Sequence, residues 1–177
     1  MKATGIVRRI DDLGRVVIPK EIRRTMCIRQ GVQLEIFTEE DGSVIFKKYS
    51  PLEGYSRLAS GTAEVLSRLS GEGIAVCDRE RVVALFGRSE REAVGKPVSE
   101  ELAAALEERR TLTADARALL CKGEETRCAL ASPILANSEL IGCLAVVSSE
   151  ELPKAPAEAT EKMLMAAAAL LGLYFEE

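Results

Sequence analysis

Histidine is absent from all 177 residues. That absence removes His-dependent triads and acid–base pairs, and with them the commonest metal ligand. Long apolar runs are missing too. The longest nearly uncharged stretch, Met163 to Phe175, has 13 residues, whereas a bilayer-spanning helix needs about 20. No apolar h-region lies between Lys2 and Arg8, so no secretory signal is expected. The five cysteines (Cys27, Cys77, Cys121, Cys128 and Cys143) are odd in number and show no C-x-x-C spacing. A disulfide framework or a thiolate metal site is therefore disfavoured. Most of them stand in apolar stretches, where Cys behaves as a small buried hydrophobe. Reduced thiols without an export signal point to the cytoplasm. Internal repeats and low-complexity tracts are lacking as well. On these grounds no catalytic residue, metal or cofactor is expected.

What is present is an ordinary globular composition, 47% apolar and 29% charged, with a length that suits one or two domains. Its charge is unevenly placed. Residues 1–30 hold eight Lys or Arg against three acids, a net of +5. From Tyr49 onward 14 basic and 21 acidic residues give −7. The whole-chain value of −4 thus hides a basic head on an acidic body, and such asymmetry points to a polyanion partner at one end.

In the head, short strands are expected over Thr4–Ile10 and Arg15–Ile18 around the turn Asp11-Asp12-Leu13-Gly14. Pro19 would open a short helix to Met26. Leu34–Thr38 and Val44–Lys48 flank Asp41-Gly42, a good hairpin signal. A unit of about 48 residues rarely buries enough surface to stand alone without metal, disulfide or partner. With the first two disfavoured, the head is expected to fold only as a dimer.

Ser50-Pro51-Leu52-Glu53 reads as a capping box opening a helix to about Ser70, with Leu58, Thr62, Val65, Leu66 and Leu69 on one face. Gly73–Asp78 and Arg81–Phe86 look like a strand pair. Ser89-Glu90-Arg91-Glu92 is a second capping box, and Ser99–Arg110 is an Ala/Leu/Glu helix. Strands over Thr126–Ile134 and Leu140–Ser148 are separated by the turn Leu135-Ala136-Asn137-Ser138. Pro156, Glu158 and Glu161 begin a last helix reaching Phe175. This order fits an α+β body with an antiparallel sheet and flanking helices. Expected boundaries are residues 1–50 for the head, 51–56 for a linker or helix start, and 57–177 for the body. The last helix is apolar almost all round, so one side needs the sheet and the other a partner. A second homo-oligomeric interface is expected through helices 55–70 and 157–175. Two interfaces engaging different partners make a tetramer.

Two tempting motifs have bland explanations. Gly95-Lys96 lacks the hydroxyl residue of a phosphate loop, since Pro97 follows. The pairs Glu100-Glu101, Glu107-Glu108 and Glu124-Glu125 are better read as solvated surface than as paired catalytic carboxylates, because adjacent helix residues point apart.

The arginines of the head carry the functional signal. Arg8 and Arg9 precede the first turn, Arg15 follows it, and Arg23 and Arg24 lie in the helix after Pro19. On a hairpin plus helix these positions can converge on one surface, and dimer symmetry doubles it. Arginine suits phosphates and guanine edges because its planar fork donates two parallel hydrogen bonds. Aromatics are not interleaved with the charges, which disfavours single-strand stacking.

Residues 4–24, with the core Asp-x-x-Gly-Arg-x-x-Ile-Pro-x-x-Ile-Arg, resemble the AbrB-type swapped-hairpin DNA-binding domain of bacterial transition-state regulators, a likeness running over residues 1–48. It implies an AbrB/MazE-like β-barrel in which two chains exchange hairpins, and duplex DNA contacts from Arg8, Arg15, Arg23 and Arg24 with Arg9 alongside. The body resembles GAF-like sensor domains in layout and in stretches such as Arg91–Pro97 and Leu140–Val146. With a body of this length, the whole chain is similar to sporulation regulators of endospore-forming bacteria. What the resemblance implies is a nucleoid-associated activator or repressor of sporulation genes. The residues fit a small-molecule effector and an empty structural pocket equally well. An antitoxin-type autorepressor is the alternative, since it shares the head fold, but antitoxins end in a disordered acidic tail and this chain ends in a regular apolar helix.

Overall fold

The computed structural model describes residues 4–26, 28, 30–87, 93–116, 118–150 and 153–176. The chain divides into two compact units, Met1–Tyr49 and Ser50–Glu177.

The head contains a short helix, α1 (Lys20–Thr25), and a hairpin of β1 (Leu34–Thr38) and β2 (Val44–Lys48). The hairpin pairs in register from Leu34 opposite Lys48 to Thr38 opposite Val44. Its turn closes around Asp41-Gly42. The Glu39 N–H donates to the Ser43 carbonyl at 3.0 Å, and Asp41 Oδ1 accepts the Ser43 N–H at 2.8 Å. Pro19 takes the cap position before α1, one residue earlier than expected, with φ −57° and ψ 149°.

The strands expected over Thr4–Ile10 and Arg15–Ile18 do not form within one chain. The two segments meet at their turn, where the Asp11 N–H donates to the Arg15 carbonyl at 3.1 Å and the Gly14 N–H to the Asp11 carbonyl at 3.0 Å. Gly14 has φ +76°, a conformation L side chains rarely adopt. Beyond that turn, the described residues show no ladder between the segments. A strand is a pairing, and its N–H and C=O groups need another backbone to meet.

The body is a five-stranded antiparallel sheet in the order β4-β3-β7-β6-β5. Its strands are β3 (Gly73–Asp78), β4 (Val82–Phe86), β5 (Leu112–Thr113), β6 (Arg127–Ala136) and β7 (Glu139–Ser148). The helices are α2 (Pro51–Gly54), α3 (Ser56–Ser70), α4 (Glu100–Glu107) and α5 (Glu158–Tyr174). Helix α3 packs on β3 and β4, α5 on β6 and β7, and α4 meets β7. Strand alternation divides the apolar side chains between two cores. Ile74, Val76, Leu144 and Val146 join the core under α3 and α5. Ala75, Cys77, Cys143, Ala145 and Val147 join the other, with Leu102 and Leu106 of α4. Because both faces are covered, β3 is buried at every position and β7 over most of its length.

Several boundaries differ from the sequence expectation. The helix expected from Pro51 to Ser70 is two helices, broken at Tyr55 (φ −116°, ψ 38°). The buried face of α3 is Ala59, Ala63, Leu66 and Ser67, while Val65 and Leu69 are exposed. Small alanines let the helix sit close to the sheet beside Leu66, while Val65 and Leu69 turn outward. The β6–β7 turn is tighter than expected, with Asn137 and Ser138 both at positive φ, as a two-residue hairpin turn requires. The two-residue β5 was too short to leave a periodic signal. Ser99 caps α4 by accepting the Leu102 N–H at 3.0 Å. The second capping box, Ser89–Glu92, lies outside the described residues. Among the described residues no helix is long and apolar enough to cross a membrane.

Candidate nucleic-acid interface

All five arginines named from the sequence are exposed. Arg8 and Arg9 lie on the extended segment before the Asp11–Gly14 turn, Arg15 just after it, and Arg23 and Arg24 in the last turn of α1. One carboxylate organises the turn. Asp11 Oδ1 accepts the N–H groups of Leu13 at 3.0 Å and Arg15 at 2.7 Å, while Oδ2 accepts Arg15 Nε at 2.8 Å. The Arg15 backbone and guanidinium bonds hold the Asp11 carboxyl below its ordinary range. Arg15 is thus tethered at one nitrogen, with the rest of its fork on a side chain that is 69% exposed. Among the described residues Arg8, Arg9, Arg23 and Arg24 have no carboxylate partner, so their donors face solvent. Within one chain the structure joins Arg15 to Asp11 and sets Arg23 beside Arg24. It does not link Arg8 and Arg9 to either group by side-chain contacts among the described residues.

Apolar residues stand on the same segments. Val7 is 90% exposed, Val17 72% and Ile36 61%, and Pro19 is the one buried residue among those described in the head. On the hairpin, Lys47 Nζ lies 4.7 Å above the Phe37 ring, a cation–π contact.

In the body several of the residues weighed as chemistry have ion-pair partners. Lys96 pairs with Glu124, and Lys122 Nζ lies 3.2 Å from Glu100 Oε1. Cys77, Cys121, Cys128 and Cys143 are free and buried. The neighbouring Cys143 thiol and burial push the Cys77 thiol up, and burial does the same to Cys128 and Cys121. Such thiols stay protonated and inert. Between α3 and α5 runs an open apolar groove lined by Leu58, Thr62, Ala167, Leu170, Leu171 and Tyr174. At one end Tyr55, Tyr174 and Phe175 stack edge to face at 5.2–5.6 Å.

Residues 55–176 match the family model of the stage V sporulation protein T C-terminal, transcription factor. The chain belongs to this family. Against stage V sporulation protein T of Bacillus subtilis (strain 168) it is 44% identical over 155 residues, which is 85% of this chain and 87% of that protein. Transition state regulatory protein AbrB of the same organism is 38% identical over 87 residues, or 49% of this chain and 81% of that protein. Residues 7–53 match the model of antidote-toxin recognition MazE, bacterial antitoxin. The fold of the body is that of a GAF domain. A crystal structure of the GAF domain from Acinetobacter phosphoenolpyruvate-protein phosphotransferase aligns with a TM-score of 0.53 at 16% identity, covering 66% of this chain and 79% of that one. Stage V sporulation protein T family membership thus joins an AbrB/MazE-like head to a GAF-like body in one transcription factor.

Proposed function

We propose that the head, residues 1–50, binds duplex DNA as an intertwined dimer through Arg8, Arg9, Arg15, Arg23 and Arg24. The observation that carries this reading is the coincidence of exposed arginines and exposed apolar side chains on the same short segments. Val7 and Val17 cannot be covered by the few other residues of their own head, so a second copy is the natural cover. Pairing the segments over residues 4–10 and 15–18 with a partner backbone also supplies the missing ladder. The dimer then presents two copies of each arginine to a two-fold-symmetric duplex. Phosphate contacts set position, and a few Arg-to-base contacts with DNA deformability set specificity.

The body, residues 57–177, joins dimers into a tetramer through α3 and α5 and takes no part in catalysis. The outward Val65 and Leu69 on α3 and Leu170 and Leu173 on α5, 57–70% exposed, support that interface. The GAF-like fold suits a small-molecule effector, though the core beneath α4 is closely filled by Leu102, Leu106, Leu112 and Leu120. An antitoxin role is disfavoured, because the C-terminal part is a regular sheet closed by α5 where a toxin-wrapping tail would be needed. The test is a fluorescence-anisotropy titration of the full chain with duplex DNA at several salt concentrations. With about six to eight phosphates neutralised per dimer, log K falls against log salt with a slope of roughly −5 to −7. A slope near zero overturns the reading.

A further inference from the structure

The chain is gripped the moment it leaves the head. The Tyr49 N–H donates to the Gln33 carbonyl at 2.9 Å, closing the hairpin ladder. The next residue, Ser50, donates its hydroxyl to Asp78 Oδ2 at 2.9 Å. Asp78 ends β3 and is only 3% exposed. Its other oxygen, Oδ1, accepts the N–H groups of Glu80 and Arg81 at 2.7 Å each. One carboxylate oxygen therefore builds the β3–β4 turn, and the second receives Ser50, the residue that follows the hairpin.

Two residues further on, Leu52 is 1% exposed and covers Gly142 of β7. A Cβ on Gly142 would lie 2.6 Å from Leu52 Cδ1 and 2.1 Å from the Cys77 carbonyl oxygen, so only glycine fits there. Asp78 and Gly142 are direct partners across β3 and β7. The polar grip on Ser50 and the apolar grip on Leu52 thus fall on one rung of the sheet. A turn of this kind needs only one acceptor oxygen, and burying a carboxylate costs free energy unless its oxygens are occupied. The second occupied oxygen is what makes aspartate worth burying here.

We propose that Ser50–Asp78, backed by Leu52 on Gly142, is a latch that fixes the exit of the chain from the body, so that the state of the β3–β7 rung governs how two head dimers engage one DNA molecule. The inference rests on the DNA-binding tetramer proposed above. Releasing the latch frees residues 50–55 to act as a tether to each head, which lowers the effective concentration for the second binding event and leaves the first unchanged. Asp78 and Ser50 are positioning residues, outside the arginine-bearing segments of the head.

The test uses the full chain, Ser50→Ala and the hydroxyl-retaining Ser50→Thr. Affinities are measured for a short duplex that seats one head dimer and a long duplex that seats two, while hydrogen exchange is followed over residues 50–55. Ser50→Ala is expected to lose about tenfold on the long duplex and to stay within about twofold on the short one. Exchange over residues 50–55 should quicken, and Ser50→Thr should match the parent. The latch is overturned if Ser50→Ala matches the parent on the long duplex, if both duplexes weaken equally with a lower melting temperature, or if Ser50→Thr behaves as Ser50→Ala. Should the parent bind neither duplex, the DNA-binding reading fails by itself. Hydrogen exchange then decides alone, and unchanged exchange in Ser50→Ala sinks the latch.

Discussion

Head and body treat their hydrophobic residues in opposite ways. In the body, β3 is buried at every position, and Ile74, Leu102, Leu106, Leu120 and Leu144 are fully covered by the same chain. In the head, Val7, Ile10, Leu13, Val17 and Ile36 are all more than 60% exposed. Both units use β-branched and aliphatic residues at strand spacing, so composition does not separate them. Size does. About 125 residues close two cores around one sheet, whereas the described residues of the head leave most of their apolar side chains uncovered, and these are what the proposed intertwined dimer would cover. The same unit carries the exposed arginines, so the proposed dimer would double its binding surface by symmetry.

The sharpest way to break this contrast is a charge among the exposed apolar residues of the head. Val17→Asp or Ile36→Asp should abolish dimerisation and DNA binding while the body keeps its cooperative melting. An uncompensated buried carboxylate costs several kcal/mol in an interface. Sedimentation and calorimetry read both halves of that outcome, and a variant that still dimerises would mean the head's apolar residues are simply solvated.

Salt comes next. A fourfold rise in ionic strength should weaken binding by about 10³- to 10⁴-fold for the slope given above. Arg23→Ala, or Arg24→Ala, should then lose about 1–3 kcal/mol of DNA affinity with the dimer intact. If either substitution dissociates the dimer, that arginine belongs to the fold and not to the interface.

Leu69→Glu or Leu170→Glu probes the other unit. Each should reduce a tetramer to dimers and leave affinity for a single-site duplex within about twofold, because the charge lies far in sequence from the head and additive behaviour is expected of independent sites. Light scattering together with the anisotropy titration separates the two effects.

The smallest effect concerns Asp11. Its folded carboxyl lies below the unfolded value of about 3.9. A depressed pKa contributes stability that is fully present above the unfolded value and is lost as pH falls through the folded one. No change is therefore expected between pH 6 and 8, and any loss of turn order appears only below about pH 4. In Arg15→Ala the carboxyl should titrate closer to its ordinary range, since the guanidinium bond goes and the backbone bond stays. An unchanged carboxyl titration by NMR would show that Arg15 Nε does not hold Asp11 in solution.

Much of this was legible along the chain. Asp41-Gly42 marked its hairpin and the Asp-Asp-Leu-Gly-Arg stretch its turn, because each depends on neighbours within a few residues. Long-range choices were harder to see. The strands over residues 4–10 and 15–18 have β-prone sequences but no pairing partner among the described residues of their own chain. On helix α3 the spacing pointed to a face of Leu58, Thr62, Val65, Leu66 and Leu69, but close packing of Ala59 and Ala63 on the sheet leaves Val65 and Leu69 outside. The Ser50–Asp78 bond spans 28 residues, and neither side chain signals the other in sequence.

By itself the sequence determined where the positive charge sits and which segments turn and alternate, since those follow from residue type and local spacing. Only the tertiary structure decided which face of α3 is buried, which rung of the sheet receives Ser50 and Leu52, and that the head's apolar residues are left uncovered within one chain. Those outcomes depend on which distant backbones come within contact range, and that is fixed by packing the whole sheet, not by any one segment.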